Sequence, residues 1–189
     1  MLDRVPVNGV PLERGLKLSD RVHSHLSILT EVRVVVAGVG NLLRGDDGFG
    51  VKVVHALARR EAPAGVLVMD VGIGGIHLVQ ELFEATDALV VVDAVELGRP
   101  PGTLAVIRPS VREPSGPDDL ADVHYANPER ALMLARALGV LPEAWLVGCQ
   151  PLDAERLGEG LSEAVAAAVE PAAFEIRRLV SGLGIEWRA

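Results

Sequence analysis

The chain is poor in cysteine: Cys149 is the only one in 189 residues. A single thiol can form neither an intrachain disulfide nor a CxxC metal site, which fits a reducing compartment. Positive charge is also in deficit, with 18 Lys and Arg against 26 Asp and Glu and a formal net charge of −8. Such a surface repels a polyphosphate, so nucleic acid is not an expected partner. Apolar runs break well before the ~20 residues that a membrane span requires. The N-terminal stretch scatters Asp3, Arg4, Glu13, Arg14 and Lys17 among apolar residues, without the roughly 7–15-residue apolar core of a signal peptide. A soluble, cytoplasmic protein is expected, with a monomer favoured. Two protease signatures are missing as well: there is no HExxH for a zincin and no GxSxG for a nucleophile elbow. Cys149, at a strand end with no identified histidine partner, reads as a small buried hydrophobe.

What is present is the composition of one ordinary globular domain, with 49% hydrophobic and 23% charged residues. Residues 1–32 read as a loosely ordered extension, because Pro6, Asn8, Gly9, Pro11 and Gly15 interrupt any period. Only His23 to Leu29 suits a short turn. From Arg33 the pattern changes, and residues 33–189 read as a single α/β domain. Val34 to Ala37 is a buried strand that stops at Gly38. Gly48 to Arg60 reads as a helix with Val51, Val54 and Ala58 on one face. Val66 to Met69 is a strand ending at Asp70, and Gly74 to Glu84 a helix with Ile76, Val79, Leu82 and Phe83 inward. Ala88 to Val92 is a strand ending at Asp93. Thr103 to Ile107 is a fourth strand after the turn signal Pro100-Pro101-Gly102.

The following helix is well punctuated, with Asn127 suited to the N-cap, Pro128 to the first helical position and Gly139 to C′. Ala144 to Val147 is a fifth strand, closing at Gly148-Cys149. Ser162 suits the cap of a long last helix with Val165, Val169, Ile176 and Leu179 on its apolar face, and Pro171 predicts a kink or break in it. Strands that are nearly continuous apolar runs, alternating with helices, imply a three-layer α/β/α architecture with a mostly parallel, roughly five-stranded sheet.

In such a sheet the ligand site lies beyond the carboxyl ends of the strands. There the first strand delivers Gly38-Val39-Gly40-Asn41 and then Asp46-Asp47-Gly48. The second delivers Asp70, the third Asp93, and the segment after the fourth delivers His124. Oxygen and nitrogen donors of this kind suit a divalent transition ion. Gly38 and Gly40 also satisfy two positions of a dinucleotide-binding GxGxxG. The third position is Leu43, however, and two aspartates stand where a pyrophosphate would sit. Taken singly, Asp46 suits an N-cap or a helix-dipole partner, Asp93 a turn cap, and His124 a surface loop beside Asp118, Asp119 and Asp122. His55 and His77 read as surface or half-buried helix residues.

The combination Gly38-Val39-Gly40-Asn41, Asp46-Asp47-Gly48 and Gly50-Val51 resembles the opening signature of the hydrogenase maturation proteases. The resemblance continues through Asp70 and its glycines, Val90-Val91-Val92-Asp93-Ala94, Pro101-Gly102-Thr103, Val147-Gly148-Cys149-Gln150-Pro151 and Glu170-Pro171. It covers nearly all of the chain from Arg33 onward, departing at Val71, where a glycine is common, and in the N-terminal extension. It implies an endopeptidase that removes the C-terminal extension of a nickel-loaded hydrogenase large-subunit precursor. It further implies a metal site, also the catalytic site, formed by Asp47, Asp93 and His124. The nickel would then be supplied by the substrate precursor. A metal-polarised carbonyl attacked by water activated by Asp47 or Asp93, and aspartic-type acid–base chemistry without direct metal catalysis, are both compatible with that set. The alternatives are a nucleotide-binding α/β module and a non-catalytic chaperone for the precursor.

Overall fold

The computed structural model describes residues 3–5, 32–114 and 128–188. In chain order the elements are β1 (Asp3–Val5), β2 (Val34–Val39), α1 (Phe49–Leu57), β3 (Val66–Gly72), α2 (Gly75–Glu81), β4 (Ala88–Ala94) and β5 (Leu104–Arg108). They continue with α3 (Pro128–Ala137), β6 (Glu143–Cys149), α4 (Glu163–Ala167) and α5 (Val169–Gly182). A 3-10 turn, Gly45–Gly48, precedes α1. The His23–Leu29 turn, Asn127 and the loop bearing Asp118, Asp119, Asp122 and His124 lie outside the described residues.

The six strands run in the order β1-β5-β6-β4-β2-β3. Four of them, β3, β2, β4 and β6, are mutually parallel, while β5 is antiparallel to β6 and β1 antiparallel to β5. The sixth strand is Asp3–Val5, which comes from the stretch read as an extension and lengthens the sheet beyond the five strands expected. Its pairing with Val106–Arg108 closes an edge that β5 would otherwise leave open.

Successive residues of a strand face opposite sides of a sheet, and both sides are covered here. Val34 and Val36 enter one core with Phe49, Val53, Leu57, Ala172, Ile176 and Val180, from α1 and α5. Val35 and Ala37 enter the other with Leu78, Val79, Ala131 and Leu132, from α2 and α3. That is why β2 is an unbroken apolar run, and each fully buried valine in it stabilises the fold by roughly 1.5–3 kcal/mol. The expected three layers are therefore present. Among the described residues no helix is long and apolar enough to cross a membrane.

Helix ends differ from the sequence expectation in instructive ways. Helix α1 stops at Leu57, so Leu57 and Val53 are buried instead of Ala58. Helix α2 stops at Glu81, and Phe83, expected inward, has left the helical period and is 62% exposed. Gly139 terminates α3 as expected, at φ +71° with its N–H donating to the Arg136 carbonyl. The last helix breaks at Ala168, three residues before Pro171. Proline is tolerated in a first helical turn, where its missing N–H costs no intrahelical bond, so the chain restarts a helix around it.

Candidate active site

Helix α1 follows β2 on one face of the sheet and α2 follows β3 on the other, so the crevice between the carboxyl ends of β2 and β4 is the topological switch point. The turn Gly45–Gly48 lies over that crevice. Two glycines make the approach possible. A Cβ on Gly40, at φ +128°, would meet the Asp47 carbonyl oxygen at 1.8 Å, and one on Gly50 would meet the Val92 carbonyl oxygen at 2.0 Å. The glycine pattern thus folds the Asp47 turn back on β2 and packs α1 against β4.

Asp47 is half-buried in this turn, and its Oδ2 accepts a hydrogen bond from the Asn41 main-chain N–H at 2.8 Å. Burial raises its pKa, opposed by that hydrogen bond and by the Arg44 guanidinium. Asp93 is the penultimate residue of β4 and is 9% exposed. Its Oδ1 accepts from the Ala94 N–H at 2.8 Å. Burial, and then the negative charge of Asp47, push Asp93 up to about 8, with the Ala94 hydrogen bond a partial offset. The two carboxylates are brought together from positions 46 residues apart, close enough for the charge on one to oppose ionisation of the other. His124 lies outside the described residues. Among the described residues no three His, Cys, Asp or Glu side chains form a metal-holding group.

Asp46, the immediate neighbour, does something else. It is 1% exposed, and no side chain caps α1 or the turn before it. Its carboxylate instead accepts hydrogen bonds from Leu152 N, Asp153 N, Ser162 N and Ser162 Oγ. Burial alone would raise its pKa, but these bonds outweigh it and hold the carboxyl below its usual range. The N-cap role read for Asp46 is corrected accordingly, and so is that of Ser162. Ser162 stands at the N-cap of α4 but caps nothing, because its hydroxyl is given to Asp46.

The remaining candidates separate from this pair. Asp70, exposed near the end of β3, sits 2.7 Å from Nε2 of His55 on α1. It borders a groove of about 250 Å³ lined by Gly40, Asn41, Leu42, Val51, Gly72 and Ile73. His77 is exposed on α2 and contacts Gln80. Cys149 is fully buried, and its thiol is pushed up to about 12 by burial and by the charge of Asp46, so it is no nucleophile at neutral pH. Gln150, part of the motif that carries the resemblance, was given no role from the sequence. Its buried amide accepts from the Leu97 and Arg99 N–H groups and donates to Glu96 and the Pro151 carbonyl, binding the loop after β4 to the end of β6. Its main chain exchanges hydrogen bonds with Gly102 and Thr103. The motif segments Pro101-Gly102-Thr103 and Cys149-Gln150-Pro151 are therefore one structural joint.

The family model for hydrogenase maturation proteases matches residues 51–178, a span that contains Asp93 and His124 and begins just past Asp47. The hydrogenase expression/formation protein HupM of Azotobacter chroococcum is 42% identical over 141 residues, covering 74% of this chain and 67% of that protein. The hydrogenase maturating endopeptidase HybD from E. coli has a TM-score of 0.68 at 29% identity, over 82% of this chain and 96% of its own. The hydrogenase 2 maturation peptidase from a Thaumarchaeota archaeon has 36% identity and a TM-score of 0.58, over 78% of this chain and 97% of its own. None of these likenesses is to a nucleotide-binding module; of the glycines that suggested one, Gly38 packs against α1, where a Cβ would meet the Gly50 carbonyl oxygen at 2.5 Å, and Gly40 folds the aspartate turn. Matched in sequence and in fold over most of its length, the chain belongs to the hydrogenase maturation proteases and is a peptidase of hydrogenase assembly.

Proposed function

We propose that this protease removes the C-terminal extension of a hydrogenase large-subunit precursor once nickel has been loaded, and that Asp47, Asp93 and His124 receive the precursor's own nickel. The observation that carries this reading is the coupled carboxylate pair at the switch point. Two acids face one crevice, one partly exposed and the other held near pKa 8. A divalent cation relieves that repulsion, and carboxylate oxygens with one imidazole nitrogen suit nickel. Below about pH 8 a cation must displace the Asp93 proton, and a set of two or three donors leaves positions for ligands from elsewhere. Both features make a free ion a poor occupant and an ion already held by the precursor a good one. Bound there, the ion supplies Lewis-acid polarisation of the bond to be cut. This chain's residues orient the precursor's metal centre and hold or release protons at the two carboxylates. The single, buried, inert Cys149 keeps thiol chemistry away from the ion and suits action in the cytoplasm.

The test crosses metal-stripped and metal-soaked protease with nickel-loaded and nickel-free precursor, reading the product by mass spectrometry. Loaded precursor is cut by either form of the protease, and nickel-free precursor by neither. Cutting of nickel-free precursor by metal-soaked protease would return the protein to the ordinary metalloproteases. Binding of loaded precursor without any change in its mass would make it a chaperone.

A further inference from the structure

Asp46 is one residue from Asp47 and has an entirely different set of partners. All four hydrogen bonds to its carboxylate come from residues 106 to 116 positions later: Leu152 N at 2.8 Å, Asp153 N at 3.1 Å, Ser162 N at 2.6 Å and Ser162 Oγ at 2.9 Å. Main-chain bonds repeat the connection. Gly45 N donates to Gly158 O, Asp46 N to Asp153 O, and Gly158 N to Leu43 O. The N-terminal half of the Gly45–Gly48 turn, with Leu43 just before it, therefore rests on residues 152–162.

That segment has its own stiffening. Asp153 Oδ1 accepts from the N–H groups of Glu155 and Arg156, and the Arg156 guanidinium donates to Gly160 O. Ser162 gives up the cap of α4 to reach Asp46, so a local stabilising contact is exchanged for a tertiary one. A helix start, a structured loop and a buried carboxylate thus converge on the turn that presents Asp47.

We propose that Asp46 is a positioning residue for the reaction, holding the Gly45–Gly48 turn against residues 152–162 so that the Asp47 carboxylate is set against Asp93. The proposal rests on the reading that Asp47 and Asp93 carry the site. The carboxylate form is required because four donors converge on two oxygens. An amide of the same shape turns its NH2 towards at least one of those donors. A displacement of about 1 Å between reacting groups costs on the order of a hundredfold in rate.

The test uses the full chain with nickel-loaded precursor and compares Asp46→Asn, Ser162→Ala and Asp47→Asn, measuring kcat and KM separately. Hydrogen exchange is followed at the Leu152, Asp153 and Ser162 amides. In Asp46→Asn those amides exchange faster and kcat falls about ten- to a hundredfold, with KM within about twofold of the parent. Ser162→Ala, which keeps the three main-chain donors, lowers kcat about two- to fivefold with the same KM. A folded Asp46→Asn protein with opened amides and unchanged kcat would overturn the proposal, as would a change confined to KM. If Asp46→Asn does not fold, Ser162→Ala decides alone, and an unchanged kcat there overturns it. Normal processing by Asp47→Asn would instead sink the underlying site reading, whatever the Asp46 variants do.

Discussion

On the inward side of the Gly45–Gly48 turn, Asp46 is sealed from solvent and accepts four hydrogen bonds. On the outward side, Asp47 keeps partial exposure, accepts one hydrogen bond from Asn41 and opposes the ionisation of Asp93. The side chains are chemically identical, and the difference lies in what reaches them. Donors from a distant loop make Asp46 a stable anion, whereas burial raises the pKa of both Asp47 and Asp93 and the charge of Asp47 raises that of Asp93 further. Carboxylates that are stable as anions hold structure together, and those that resist ionisation are available for a cation or a proton.

The sharpest way to break this comparison is to neutralise the outward pair. Asp47→Asn, Asp93→Asn and His124→Ala are each expected to lower processing of nickel-loaded precursor by about a thousandfold or more, with circular dichroism unchanged. Normal processing by Asp93→Asn would remove the best-supported member of the set.

Stability should then separate the two sides by sign. Asp46 has a depressed pKa, so its contribution is complete above the unfolded value of 3.8 and is lost as pH falls below that through the lower folded value. Asp46→Asn is expected to cost about 2–4 kcal/mol at pH 7, since buried donors lose their acceptor. Asp93 has a pKa raised from 3.8 to about 8, so its favourable contribution is complete only below the unfolded value and is lost as pH rises towards 8. Asp93→Asn should therefore stabilise the metal-free protein, by about 5 °C in melting temperature at pH 8 and less at pH 5. Thermal melts across that range would contradict the assignment if the gap between Asp93→Asn and parent failed to widen.

Cys149 tests the floor beneath Asp46. Cys149→Ala removes a buried sulfur and is expected to cost about 1–2 kcal/mol with processing within about twofold of the parent. A loss of chemistry at equal stability would give the thiol a role that its burial denies. The smallest effect is expected farthest from the turn. Deleting residues up to Ser27 removes the three-residue edge strand and should shift the melting temperature by no more than about 3 °C, leaving processing unchanged. Loss of soluble protein on that deletion would make the segment part of the core.

The sequence by itself determined the layers and pointed to the carboxyl ends of the strands for the proposed site. Val34 to Ala37, Ala88 to Val92 and Ala144 to Val147 read as buried strands, because a short apolar run bounded by charged residues and glycines suits cover on both faces. Strand ends rich in acid then marked the carboxyl edge, and Gly38-Val39-Gly40-Asn41 with Asp46-Asp47-Gly48 carried the family resemblance. These features follow from short-range geometry, in which side-chain period and backbone freedom are properties of neighbouring residues. Phe83 escaped such reasoning because it depends on where a helix stops by a residue or two. The resemblance already set Asp47 apart from Asp46, but only the tertiary structure decided that Asp46 is clamped by residues 152–162, that Ser162 serves Asp46 and not its own helix, and that Asp93 resists ionisation. A carboxylate's behaviour is set by the donors, charges and solvent around it, and here those arrive from residues 46 to more than 100 positions away, where no local pattern records them.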